Sequence, residues 1–479
     1  MADSSDSSPP PPLPPPLPPQ AAPVIPAGDE RELRVRGGRM GLVLAWLVIV
    51  GTITFIIQSE PRWKKKEEAA SGGASNIVLE LIGRYTVGAH HVFSQTGMWT
   101  EAVEAQYLGN VAPQVKTPAD ELKVELLRAW LRSEWPRAER LDALASQNEA
   151  LKADVEAIRL LQKKTALDDA AWHRLEERHG WLAQLAQALP HENTHETRVT
   201  IYQQATRTLM ALGLGTMGVV VAMAVGLALC IVFIVKRNAA RSRGAPPPIR
   251  FTRPCESPVA GGVLVEAFAI YLGGFVWLPA LVLLVYPEMP QQWLYLVILG
   301  VVCIAVLWPR WRGVPTATWR QALGLHCGAG LWREMGAGLA VWLAALPFTA
   351  LALLLSSWLA AYSGSTPVHP IVKEFAGSDA SRLAALALAV LWAPVTEELT
   401  FRGLLFPGLA ARWRLVAGVV VSSFLFAAVH PQGWAGVPPL MVLAAAFSLI
   451  RAWRGSLIGG ITAHALNNGL ITLMMLAAF

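Results

Sequence analysis

Apolar residues in this chain fall into long runs, and the runs form two blocks. One run stands alone, Met40 to Gln58. The rest follow closely from Leu209, at about 209–235, 259–286, 292–308, 335–361, 383–407, 415–430, 438–450 and 456–478. A bilayer's hydrocarbon core, roughly 30 Å thick, is crossed by about 20 apolar residues of helix. The pattern therefore predicts an all-α polytopic bundle of about nine spans. Between the blocks the periodicity changes. Leu122, Leu126, Leu127, Trp130 and Leu131, then Leu141, Leu144, Leu151, Val155, Ile158 and Leu161, recur at spacings of three, four or seven, the signature of amphipathic helices. Pro136 separates two of them, since a proline inside a helix removes a backbone hydrogen bond and clashes with the preceding turn. Residues 59–205 are expected to form a small helical domain.

Composition agrees with a membrane protein: 53% of the 479 residues are hydrophobic and only 15% charged. The net charge of +6 gathers at the ends of apolar runs, the pattern of topology determinants and of contacts with the lipid bilayer, so no nucleic-acid partner is expected. Arg-rich loops at Lys236 to Arg253, Arg310 to Arg333, Arg412 to Arg414 and Arg451 to Arg454 place the N-terminus in the cytoplasm, with residues 59–205 and the C-terminus outside. Arg62 and Lys64 to Lys66 oppose that orientation at the first span. The organisation expected is a disordered Pro-rich tail over 1–39, an anchor over 40–58, an extracytoplasmic helical domain over 59–205, a span with a basic cytoplasmic linker over 206–258, and an intramembrane domain over 259–479. The four cysteines, Cys230, Cys255, Cys303 and Cys327, have no C-x-x-C spacing and give neither a disulfide framework nor a zinc ribbon. His173, His179, His191 and His195 stand among charged residues and read as solvated side chains, not metal ligands.

Three polar insertions carry the chemistry: Glu397-Glu398-x-x-x-Arg402, Phe426-x-x-x-His430 and His464-x-x-x-Asn468. Ionisable side chains at membrane depth are costly and mark function by default. Glu398 and Arg402 stand four apart, with the acid on the N-terminal side, the better order for a helical ion pair. Glu397 points about 100° away and is left free to act as a general base. Pro394, three residues earlier, predicts a helix break or kink that would set both carboxylates near a helix start, where the macrodipole favours negative charge. Pro431 biases His430 towards a helix end. His464 and Asn468 project from one face of the last span. The bland alternative is a buried charge network that only holds helices in register.

The three motifs, in this order on successive helices, resemble the CPBP family of intramembrane proteases, which includes the type II CAAX prenyl endopeptidases and the Abi bacteriocin self-immunity proteins. The likeness is close over about 380–479 and extends as a fold over 259–479. It implies that Glu397 and His430 position and deprotonate a water that attacks a peptide carbonyl, that His464 and Asn468 stabilise the oxyanion, and that Glu398, Arg402 and Phe426 support them. The family is commonly labelled metalloprotease, yet no HExxH occurs here. His430, His464 and a glutamate could hold Zn2+ with a water in the fourth position, while a metal-free glutamate mechanism accounts for the same residues.

The function expected is hydrolysis of membrane-embedded or membrane-anchored proteins or peptides by a multi-pass integral protein, in the plasma (inner) membrane if the source is bacterial. A partner of unknown kind is expected for the extracytoplasmic domain. The alternative is a non-proteolytic scaffold or immunity protein that uses the same helices for binding. Depth separates the two: Glu397 and His464 lie about ten residues, roughly 15 Å, from the ends of their spans and His430 about sixteen. Groups too far apart to share a water would favour the scaffold.

Overall fold

The computed structural model describes residues 39–70, 77–363 and 378–478, and every regular element among them is helical. The Pro-rich tail expected over 1–39 lies outside the described residues, apart from Arg39. The helices are α1 (Arg39–Ala70), α2 (Ile77–Gln95), α3 (Glu101–Val111), α4 (Pro118–Arg132), α5 (Ala138–Ala145), α6 (Glu149–Gln162), α7 (Asp169–His179), α8 (Trp181–Ala188), α9 (Glu196–Ser242), α10 (Pro258–Val285), α11 (Gln291–Trp311), α12 (Thr316–Leu323) and α13 (Leu331–Ser363). They are followed by α14 (Asp379–Arg412), α15 (Leu415–Ala428), α16 (Gly433–Arg454) and α17 (Ile458–Ala478). Eight of these are long and apolar enough to cross a membrane among the described residues: α1, α9, α10, α11, α13, α14, α16 and α17.

The remaining apolar run gives a shorter helix. The apolar run at 415–430 forms α15, only 14 residues long. At 1.5 Å per residue it reaches about 21 Å, short of the roughly 30 Å core. Hydropathy counts apolar residues but not where a helix stops. Here it stops at Ala428, because Pro431 disfavours helical backbone in the residue before it.

Helices α2 to α8, with the first turns of α9, close on two hydrophobic cores of their own. One gathers Leu79, Leu127, Trp130, Trp181 and Ile201; the other gathers Leu122, Leu126, Leu141, Val155, Ile158 and Leu175. The periodic leucines of the sequence are thus core residues, and Pro136 lies between α4 and α5 as expected. The histidines need a correction. His179 is fully buried, its Nε2 2.9 Å from Asp154 Oδ2, with Arg178 on the same carboxylate. It is not solvated. His191 is half-buried and His195 exposed, and the two are stacked on each other, 3.9 Å between ring centroids.

Helix α9 is continuous for 47 residues, about 70 Å. Its first part buries Ile201, Ala205 and Thr208 among α2 and the neighbouring helices; its later part packs on α13, where Cys230 Sγ lies 3.6 Å from the Ala344 carbonyl. Gly226 meets the Leu343 carbonyl so closely that no Cβ would fit. The outward faces of α9, α10 and α13 carry exposed Leu, Val, Phe and Trp, as lipid-facing helices do.

Two arginines fix α16, the helix behind the polar cluster. Arg451 donates to the carbonyls of Gln321 (3.1 Å) and Ala322 (2.7 Å), closing the end of α12, and to the Gly455 carbonyl. Its guanidinium lies against Gly324, whose φ of +76° and lack of Cβ make room. Arg454 forks onto Glu334 at 2.8 and 3.0 Å, and Glu334 also accepts from the Ala329 amide, so α16 is tied to the start of α13.

Candidate functional site

The site is built on α14, and α14 is not a regular helix. Leu388–Trp392 and Glu398–Leu405 are wound as π-helix, with the amide of Ala393 bonded back to Leu388 and that of Phe406 to Phe401. Each π stretch inserts a residue into a turn and re-aims the side chains beyond it. The expected helix break at Pro394 is corrected: the chain runs helically through it, the wide turn ahead absorbing the proline. Glu397 and Glu398 therefore sit inside a helix, and the helix-start argument for their charge does not apply.

Glu397 faces two imidazoles. Its Oε2 lies 3.9 Å from His430 Nε2 and 3.8 Å from His464 Nε2, and this buried oxygen makes no hydrogen bond to a protein group. Both distances exceed a direct hydrogen bond. Each histidine is aimed by its other nitrogen. His430 Nδ1 lies 2.6 Å from the Phe426 carbonyl, which can only accept, so Nδ1 carries a proton and Nε2 is the nitrogen that faces Glu397. His464 Nδ1 lies 3.2 Å from Glu398 Oε1.

Glu398 in turn is held by Arg402, whose Nη1 is 3.0 Å from the same Oε1, the ion pair expected from the spacing. Both residues are buried, Arg402 at 1% exposure, so the pair matters only with its surroundings. Arg402 Nη2 donates to the Ala444 carbonyl at 3.1 Å, and its guanidinium carbon lies 4.5 Å from the Phe426 ring, 5.3 Å from Phe447 and 6.0 Å from Phe401. Three phenyl faces thus replace water around the cation. Phe426 also stands 4.5 Å from the His430 ring and edge-on to His464 at 6.0 Å, while Phe447 stacks on His464 at 5.1 Å.

His430 and His464 thus meet at one oxygen of Glu397, and Glu398, Arg402 and Phe426 pack against the two histidines and one another. Asn468 is engaged with α14: its Nδ2 donates to the Ala389 carbonyl at 3.0 Å. The expected depth mismatch also resolves, because α15 is short and delivers His430 at its end, level with Glu397 and His464. Three participants went unread in the sequence. Phe447 and the Ala444 carbonyl lie in an apolar run with no polar flag. Gly460 lies so close to Glu398 Oε2 that a Cβ would sit 2.7 Å from it.

The donor set of two imidazoles and a carboxylate has the chemistry of a zinc site, and each imidazole has the outer partner that metal-bound histidines carry. Its spacing does not fit. Ligand atoms of a tetrahedral zinc lie about 3.3 Å apart, from bonds near 2.05 Å, and here the carboxylate oxygen is 3.8 and 3.9 Å from the nitrogens. Among the described residues no group of His, Cys, Asp and Glu has metal-binding spacing.

A multi-pass helical membrane protein whose last helices bury a Glu/His cluster is the class that the fold and the site define. Residues 379–470, from the start of α14 into α17, match the family model described as type II CAAX prenyl endopeptidase, Rce1-like. That match bears out the family resemblance of the three motifs, all of which it contains. No curated protein and no solved structure matches the chain.

Proposed function

We propose that this chain is an intramembrane endopeptidase that cleaves peptide bonds of membrane-anchored or membrane-embedded substrates with a water activated by Glu397 and His430. One observation carries the reading: the unpartnered Glu397 Oε2 stands 3.8 and 3.9 Å from two imidazole nitrogens, too far for direct bonds and right for one water held between them.

In this mechanism the water gives one hydrogen to Glu397 and the other to the bare Nε2 of His430, which aims its oxygen lone pair at the scissile carbonyl. As the carbon–oxygen bond forms, Glu397 takes the proton. The carbonyl π-electrons move to oxygen, and His464, held as an imidazolium with Nδ1–H on Glu398, donates its Nε2–H to that developing charge. Collapse of the tetrahedral adduct breaks the C–N bond, and the proton passes from Glu397 to the leaving nitrogen. Glu398 and Arg402 hold His464 in place. No step passes through a metal, since the spacing favours a water over zinc. The family match supports a CAAX-type substrate, a prenylated C-terminal peptide whose lipid would lie alongside the helices while its backbone reaches Glu397.

The test is cleavage of a farnesylated CAAX peptide by the purified protein and by Glu397→Gln, His430→Ala and His464→Ala, each with and without a chelator. Loss of a general base costs typically 10²- to 10⁴-fold; a drop of that size in Glu397→Gln and His430→Ala, unaffected by the chelator, is expected. Equal activity in all variants would remove the peptidase assignment, and abolition of wild-type cleavage by the chelator would replace the metal-free mechanism.

A further inference from the structure

The amide of Asn468 closes a gap in the backbone of α14. In the π-wound stretch the Ala393 amide bonds to Leu388, five residues back. In that register the next amide would serve the Ala389 carbonyl, but the next residue is Pro394, which has no N–H. In ordinary α register Ala389 would instead accept from Ala393, whose hydrogen is already given to Leu388. Neither register leaves a backbone donor for this carbonyl. Asn468 Nδ2 supplies one from α17 at 3.0 Å. An unpaired carbonyl at membrane depth is costly, so the bond ties the two helices together.

The tie lies on the helix pair that forms the reacting centre. His464, one turn before Asn468 on α17, meets Glu397 and Glu398 on α14, and Ala389 lies on α14 ahead of Glu397. Two points then fix α17 against α14 within one turn of α17. We propose that Asn468 is a positioning residue: by capping the carbonyl that Pro394 leaves open, it holds the wide turn of α14 in register and so sets Glu397 opposite the two histidines. This rests on the reading of Glu397 as the base, and it differs from the role implied by family likeness, in which Asn468 binds the oxyanion.

Pro394 makes the two roles separable, since Pro394→Ala returns a backbone N–H to the open carbonyl. We would compare the full-length wild type, Asn468→Ala, Pro394→Ala and the double variant. The readouts are kcat and KM on a farnesylated CAAX peptide and the thermal midpoint in detergent. Displacing a reacting group by about 1 Å costs on the order of 100-fold. Asn468→Ala is expected to lower kcat by roughly 10- to 100-fold with little change in KM, and to lower the midpoint. Adding Pro394→Ala to it should recover most of both losses. Independent effects in both readouts would overturn the proposal and return Asn468 to the oxyanion. Should the wild type cleave nothing, the peptidase reading falls, yet the midpoints still decide: coupling between the two substitutions upholds the tie and additivity refutes it. Asn468→Leu, of similar size, replaces Asn468→Ala if that variant does not fold.

Discussion

Glu398 shows how much of a polar side chain's role is set by what lies beside it. It is fully buried, one oxygen shared by Arg402 and His464 and the other facing Gly460 without a hydrogen-bond partner. At Gly460 the absence of a side chain is the functional property. A methyl there would sit 2.7 Å from the carboxylate, which cannot retreat from Arg402 without releasing His464. Gly460→Ala is therefore expected to leave the protein folded and membrane-inserted while cutting activity at least tenfold, measured as peptide cleavage beside far-UV circular dichroism; unchanged cleavage would show that Glu398 does not aim His464. The sequence made Glu397, Glu398, Arg402, His430 and His464 legible because charges at i and i+4 on apolar spans have few solutions other than facing one another. It hid Gly460, Phe447 and the Ala444 carbonyl for the opposite reason: a glycine, a phenylalanine and a backbone oxygen on a greasy helix look the same facing lipid as facing a guanidinium.

Single helices diverged from expectation where a periodicity cannot record the local geometry. The π turns of α14 add one residue to a turn, too small a phase shift to read from apolar spacing, so Pro394 appeared as a break when it is the reason for a wide turn. His179 is the counterpart among the polar helices. Charged neighbours made it look solvated, but its partner Asp154 lies 25 residues earlier, on α6, and tertiary packing of α7 decides its burial. Burial holds its pKa below the usual 6.5, with Lys123 and Arg178 acting in the same direction and Asp154 opposing. Below about pH 6.5 the unfolded chain takes up a proton that the folded one refuses, so stability is lost as pH falls. His90 on α2, also lowered by burial, adds to the same trend. The thermal midpoint is expected to drop between about pH 7 and pH 5, and His179→Gln to flatten that slope; an identical slope in the variant would exclude His179 as its source.

At the scale of the molecule, α9 belongs to both the polar helices and the bundle. Its seat on α13 depends on Gly226 lying against the Leu343 carbonyl, and Gly226→Val is expected to cost about 1–3 kcal/mol by overpacking, seen as a lower thermal midpoint with native helix content. An unchanged midpoint would mean that α9 is not seated there. The all-helical class and eight of the nine runs were legible because bilayer thickness sets a length any membrane helix must meet. Residues 205 and 206, where the polar pattern gives way to the apolar one, lie within an unbroken helix, since α9 can change its surroundings without changing its backbone. That continuity has a mechanical meaning. A rod about 70 Å long with no hinge bends little, and about a quarter of the way along it Thr208 grips the last carbonyl of α17, that of Ala478, at 2.6 Å. A pull or twist applied to the polar helices would pass as torque along this lever into the helix that carries His464, with no joint on the way to dissipate it.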